Sequence, residues 1–211
     1  NDSLWNKPYV GEPVGEMPIV DDRYYYGGVS KVYIFDIKDR ANVIKLRELS
    51  YEGNYTSSRK VDNMVYLVAN KAEYSYHLPD DGWKEHDVVP LYSDSNKKEV
   101  DVVTKCANVL YMPGSESSNY IVVAGIPIDD PKAPVLEEVV LGSSGEIYSS
   151  RDNMYVAEQK YDWFYRDGED EEQTMVHKFN LGRTDIKYFG KTDVPGHILN
   201  QFSMDEFKGN F

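Results

Sequence analysis

The chain has 211 residues, 41% of them hydrophobic, and a formal net charge of -13. That charge repels phosphate backbones and argues against a nucleic-acid partner. No run of about 18 apolar residues exists to cross a membrane as a helix, and the single cysteine, Cys106, rules out an internal disulfide.

From the N-terminus, residues 1–30 carry little regular pattern. The first clear strand is "VYIFDI", Val32 to Ile37, followed by the turn Lys38-Asp39-Arg40 and a second apolar stretch. "EGNYTSSRKVDNMVYLVANK" (52–71) reads as a hairpin. Its Asp62-Asn63 pair suits a two-residue turn, because Asn and Asp tolerate positive φ. "PDDGWKEHD" (79–87) is a loop, and "VVPLYSD" (88–94) is a poorly marked strand. "VDVVTKC" (Val100 to Cys106) and "YIVVAGIPI" (Tyr120 to Ile128) read as strands, the latter ending in the turn Asp129-Asp130-Pro131. "GEIYSSRDNMYVAEQK" (145–160) repeats the first hairpin. "YDWFYRDGEDEEQ" (161–173) is acidic and aromatic, and "MVHKF" (Met175 to Phe179) is a strand before the turn Gly182-Arg183-Thr184. No dozen residues keep a 3.6-residue period, so little or no helix is expected.

The hairpin phrase has four copies. "RKVDNMVYL" (59–67), "TKCANVLYM" (104–112), "SSRDNMYV" (149–156) and the weaker "FSMDEFKGNF" (202–211) align on Tyr66, Tyr111, Tyr155 and Phe211. These stand 45, 44 and 56 residues apart, the scale of a four-stranded propeller blade. A lone four-stranded sheet leaves an apolar face open, and stacking sheets around an axis covers it. The fold class expected is therefore all-β, a β-propeller of about four blade-like, four-stranded antiparallel sheets belonging to a larger or incomplete ring. The repeats fall at about 31–75, 76–115, 119–161 and 174–211, with 1–30 an N-terminal segment or part of a preceding blade. Tyr66, Tyr111 and Tyr155 should then occupy equivalent strands. "LNQFSM" (199–204) should be a strand with an open edge, paired with "RYYYGG" (23–28) or a neighbouring chain unless the chain is a fragment. "EDEEQ" (169–173) should be an exposed loop. The competing fold is an ordinary β-sandwich, against which the shared "SSR…DNM" wording and the matched spacing weigh.

The phrases "KVYIFDIKDRANVIKLRELSYEGNYTSSRKVDNMVYLVANK", "NYIVVAGIPIDDPKAPV" and "VPGHILNQFSMDEFKGNF" resemble a family of secreted bacterial proteins whose C-terminal β-propeller is distantly related to WD repeats. The resemblance covers about Lys31 to Phe211. It implies an extracellular or cell-surface interaction scaffold and supplies no catalytic or binding residues. No Gly-His…Trp-Asp pair is present, so the repeat is not an ordinary WD repeat.

No catalytic phrase stands out: there is no Gly-x-Ser-x-Gly, no His-Glu-x-x-His, no Cys-x-x-Cys and no phosphate-binding loop. His77, His86, His177 and His197 are scattered. Two loops set aromatic rings beside acids, the composition of a sugar site and equally of a solvated hairpin. The first offers Trp83 and His86, and the second offers Trp163, Tyr165 and Asp167, where Asp167-Gly168 is also a favoured turn pair. Asp21-Asp22, Asp80-Asp81 and Asp129-Asp130 are candidate ligands for a structural calcium, though none forms an EF-hand loop. No other cofactor is expected. Two functions stay open: a non-enzymatic surface scaffold for a protein or glycan ligand, and a propeller-type polysaccharide-active enzyme, glycoside hydrolase or lyase. The enzyme needs two carboxylates about 5 or 6.5–9.5 Å apart in a cleft.

Overall fold

In the computed structural model of the protein, the described residues are 28–72, 84–97, 99–111, 118–142, 145–160, 172–182 and 184–211. They hold thirteen strands: β1 (Val29–Asp36), β2 (Ile44–Glu52), β3 (Asn54–Val61), β4 (Met64–Lys71), β5 (Leu91–Asp94), β6 (Asp101–Val102), β7 (Leu110–Tyr111), β8 (Tyr120–Pro127), β9 (Leu136–Leu141), β10 (Glu146–Ser149), β11 (Asn153–Lys160), β12 (Gln173–Leu181) and β13 (Ile186–Pro195). Helix among them is limited to one turn, Glu85–Val88, and two 3-10 turns, Cys106–Asn108 and Gln201–Ser203.

Three sheets result, ordered β1-β2-β5-β6, β3-β4-β8-β9-β7 and β10-β11-β12-β13. Every strand pair is antiparallel except β7 with β9. The chain leaves each sheet halfway through a sequence unit. Hairpin β1–β2 sits in the first sheet and β3–β4 in the second; β8–β9 completes the second and β10–β11 opens the third. The first crossing is a single residue, Gly53, at φ +120°. A Cβ there would meet the Asn70 carbonyl at 2.9 Å, so only glycine suits both its backbone and its space.

The sheets pack face to face in chain order. Ile34, Leu49 and Tyr51 of the first meet Leu67, Val122 and Ile126 of the second. Through strand alternation, Tyr66, Val68 and Ile121 leave the second sheet's other face and meet Met154, Met175 and Phe179 of the third. The middle strand β8 is buried at every position, as expected of a strand covered on both faces. Each fully buried Val, Ile or Leu contributes about 1.5–3 kcal/mol.

Tyr66 and Tyr155 are structurally equivalent. Each is the third residue after a two-residue turn, Asp62-Asn63 between Val61 and Met64, and Arg151-Asp152 between Ser150 and Asn153. Each points from its sheet toward the following layer. The repeated "DNM" letters therefore sit one residue out of register with the geometry. Asp62 takes the positive φ of its turn, 50°, whereas Asn153 is a buried strand residue.

Tyr111 is not equivalent to them. It lies on the two-residue edge strand β7, parallel to β9, and is 61% exposed. The copy at 104–112 fails because its Ala107-Asn108 pair falls in the 3-10 turn Cys106–Asn108. For the same reason the strand expected over Val100 to Cys106 is only Asp101–Val102. Residues 84–111 instead add strands to the edges of two sheets, β5 and β6 beside β2 and β7 beside β9.

The fourth copy keeps its turn and loses its strand. Phe207 and Asn210 bridge around Lys208 (φ 50°) and Gly209 (φ 78°), both central residues in the left-handed region that such hairpin turns demand. The residues flanking that turn add no ladder beyond this bridge, and 199–204 is not a strand. Asn200 Oδ1 accepts from the Phe202 N–H at 2.9 Å and holds 201–203 as a 3-10 turn. The proposed partner "RYYYGG" lies outside the described residues except Gly28. In "EDEEQ", residues 169–171 also lie outside them; Glu172 and Gln173 are half-buried, and Gln173 opens β12, paired with Lys160 and Pro195.

Candidate functional site

Of the five residues singled out from the sequence, the described structure places one. His86 sits on the helical turn Glu85–Val88, half-exposed, with its ring 3.4 Å from the Asp87 carboxylate. Asp87 also accepts the Lys84 N–H at 2.9 Å, which accounts for it as a turn-forming residue. Trp83, Trp163, Tyr165 and Asp167 lie outside the described residues, as do Asp21-Asp22 and Asp80-Asp81. Asp129 and Asp130 act as turn formers: Asp130 Oδ1 accepts the Lys132 N–H at 3.0 Å, and Asp129 Oδ2 accepts Asn63 Nδ2 at 3.0 Å.

The turns themselves build a site. Hairpin ends of the second and third sheets enclose a cavity of about 430 Å³ between Asp62, Asn63, Met64, Pro127, Asp129, Arg151, Asp152 and Leu181. Its inner wall is apolar, with Val61, Met64 and the buried Tyr66, whose hydroxyl donates to the Gly182 carbonyl at 3.2 Å and ties the two sheets together. Its rim is charged. Arg151 approaches Asp62 at 3.6 Å across the gap, in an exposed pair that contributes little stability. Five of its ten lining residues, Asp62, Asn63, Asp129, Arg151 and Asp152, are polar or charged, so the concavity suits a polar surface docked over an apolar floor. The sequence marks this site only indirectly, through its two Asp-Asn phrases.

A second constellation lies between the first and second sheets. Arg47 holds Asp94 through two bonds, Nε at 3.1 Å and Nη2 at 2.6 Å, with both side chains almost wholly buried. Arg47 Nη1 donates to the Ala133 carbonyl at 2.8 Å, and Tyr51 donates its hydroxyl to Glu137 Oε1 at 3.1 Å. Lys97 bonds the Tyr92 hydroxyl and lies over its ring. Burial pushes Glu137 up to about 7, against which the Tyr51 bond and Lys97 pull down. Burial, then Glu137, pushes Tyr51 well above its ordinary value. Burial also raises Asp94, but the Arg47 bonds outweigh it and hold its carboxyl below the usual range.

His177 is fully buried on β12, its Nε2 3.5 Å from the Glu158 carboxylate and its Nδ1 3.5 Å from the Tyr188 hydroxyl. Among the described residues, no group of three or more His, Cys, Asp or Glu side chains is arranged to hold a metal ion. No described helix is long and apolar enough to cross a membrane. No curated protein and no solved structure matches the chain. A family model described as "Beta propeller domain" matches residues 6–211. That span covers nearly the whole chain and every stacked sheet, and the chain belongs to the β-propeller domain family.

Proposed function

We propose that this chain is a non-enzymatic binding scaffold, extracellular or at the cell surface, that engages a protein ligand over the rim where the second and third sheets meet. The observation that carries this reading is the cavity of about 430 Å³ bounded by hairpin turns of both sheets. Turns on a rigid scaffold are where binding residues concentrate, and propellers present such turns side by side. A protein ligand suits this rim better than a glycan, because the lining tyrosine, Tyr66, is buried and offers no ring face for stacking. The test is binding to displayed peptide and glycan arrays, comparing the wild type with Arg151→Glu and Asp152→Lys. Peptide binding that either substitution weakens tenfold or more supports the reading. Binding indifferent to both moves the site elsewhere. Protease shaving of intact cells carrying the tagged full-length protein reads its location.

The polysaccharide-active reading draws on one observation, a carboxyl group at Glu137 held near the pKa of a general acid. It requires a facing carboxylate across an open cleft, and Glu137 instead meets Tyr51 within the sheet interface. New reducing ends or unsaturated products from a polysaccharide panel, abolished by Glu137→Gln, would replace the scaffold reading.

A further inference from the structure

We propose that the seam between the first and second sheets is a pH-dependent latch, closed while the Glu137 carboxyl carries a proton and loosened when it is lost. The seam is polar where β2 and β5 face the β8–β9 hairpin. Three hydrogen bonds cross it: Arg47 to the Ala133 carbonyl at 2.8 Å, Asn96 to the Pro131 carbonyl at 2.7 Å, and Tyr51 to Glu137 at 3.1 Å. All three end within residues 131–137, so one short stretch of chain holds this side of the seam.

Among the described residues, the charged and titratable groups acting on Glu137 are Tyr51 and Arg47 from β2, Asp94 from β5 and Lys97 just beyond β5, with Tyr92 of β5 beside Tyr51. Both cations are already engaged. Arg47 gives two donors to Asp94 and a third to a backbone carbonyl. Lys97 bonds the Tyr92 hydroxyl. Asp94 is a like charge. On β8, the residue paired with Glu137 is Ala124, which has nothing to donate. An ionised Glu137 would therefore keep one hydrogen-bond donor among the described residues, the Tyr51 hydroxyl, and the through-space attraction of Lys97 and Arg47 falls short of the cost of its burial.

The shift agrees with the geometry, since burial raises Glu137 from 4.5 to about 7. A folded-state value above the unfolded one means that the stabilisation is complete below about 4.5. It is lost as pH rises through about 7. The full difference corresponds to about three-hundredfold in the opening equilibrium of the seam, of which about thirtyfold falls between pH 5.5 and 8.5.

The test is residue-resolved hydrogen exchange at pH 5.5 and 8.5, corrected for intrinsic exchange, with amides of β11 and β12 as the internal reference. Seam amides of β2 and β9 should open about thirtyfold more readily at pH 8.5 relative to that reference. Glu137→Gln, which keeps an acceptor for Tyr51, should remove the difference. Equal protection at both pH values, a loss that persists in Glu137→Gln, or a loss shared by the third sheet would overturn the proposal. Should the variant fail to fold, carbon-13 titration of the wild-type Glu137 carboxyl decides: a midpoint below 5.5 overturns it, and one near 7 upholds it.

Discussion

The Phe211 ring lies parallel to the Tyr155 ring, with centroids 3.9 Å apart and planes within 10° of each other. Phe211 is the second residue after the Lys208-Gly209 turn, as Met154 is the second after Arg151-Asp152. Met154 packs back on the second sheet as Phe211 packs back on the third. The terminal turn thus rests on the third sheet in the manner of a further blade, with Met204 buried beside Tyr155.

Phe211→Ala should cost about 1 kcal/mol of stability, the scale of an aromatic pair on a half-exposed site. Tyr155 supplies a second readout. Burial first, then the Glu206 carboxylate, pushes its hydroxyl up to about 12. Removing the covering ring should bring that value down toward 10 in an NMR titration of the tyrosine ring carbons. An unchanged Tyr155 titration would show that the stacking does not shield it.

Tyr66→Phe removes the hydroxyl that donates to the Gly182 carbonyl between the second and third sheets. The expected loss is about 1 kcal/mol in urea unfolding, and Tyr66→Ala should cost about 3–5 kcal/mol because it also opens a cavity. Equal effects of the two substitutions would contradict the packing described here.

Arg47→Met should destabilise by about 3–5 kcal/mol, because it leaves the buried Asp94 carboxylate unpaired. The double variant Arg47→Met with Asp94→Leu should recover part of that loss. Its non-additivity, read from a double-mutant cycle in urea, measures the coupling. Additive losses would show the pair to be energetically independent.

Acid should act on a different part of the molecule. Burial raises Glu206, but hydrogen bonds from Ser150, Asn153 and Tyr155 outweigh it and hold its carboxyl below 4.5. Its stabilising contribution is therefore present above about 4.5 and lost as pH falls through the lower folded value. Glu206→Gln should flatten the acid side of the stability profile without altering the profile above pH 6. Thermal melts from pH 2.5 to 7 provide the comparison.

The stacked sheets were legible because turn residues and alternating apolar runs repeat together. Tyr66 and Tyr155 occupy equivalent positions although the shared "DNM" letters are one residue out of step. The turn and the aromatic keep their spacing while the letters between them slide. Tyr111 departs from them because "NVLYM" offers a similar apolar run with a 3-10 turn, and no hairpin turn, before it. The charged seam was invisible in sequence. Arg47, Asp94 and Glu137 each sit among other charges in "KLREL", "LYSDS" and "VLEEV". Only the pleat decides that Glu137 faces the first sheet and its neighbour Glu138 the opposite side. The rim cavity is half legible, since sequence marks its turns as turns but carries no sign that they are neighbours.

The single-residue crossing at Gly53 makes the chain unequal in its tolerance of length change. Between the first and second sheets there is no slack: Glu52 ends one strand and Asn54 begins the next. An inserted residue there would have to break the Gly53-to-Gly28 hydrogen bond of 2.6 Å or push into Asn70. The stretch between β4 and β8 already accommodates extra strands at two sheet edges. Tags, epitopes or fluorescent reporters inserted into this protein therefore belong in that stretch, and a split of the chain for complementation should never fall at residue 53.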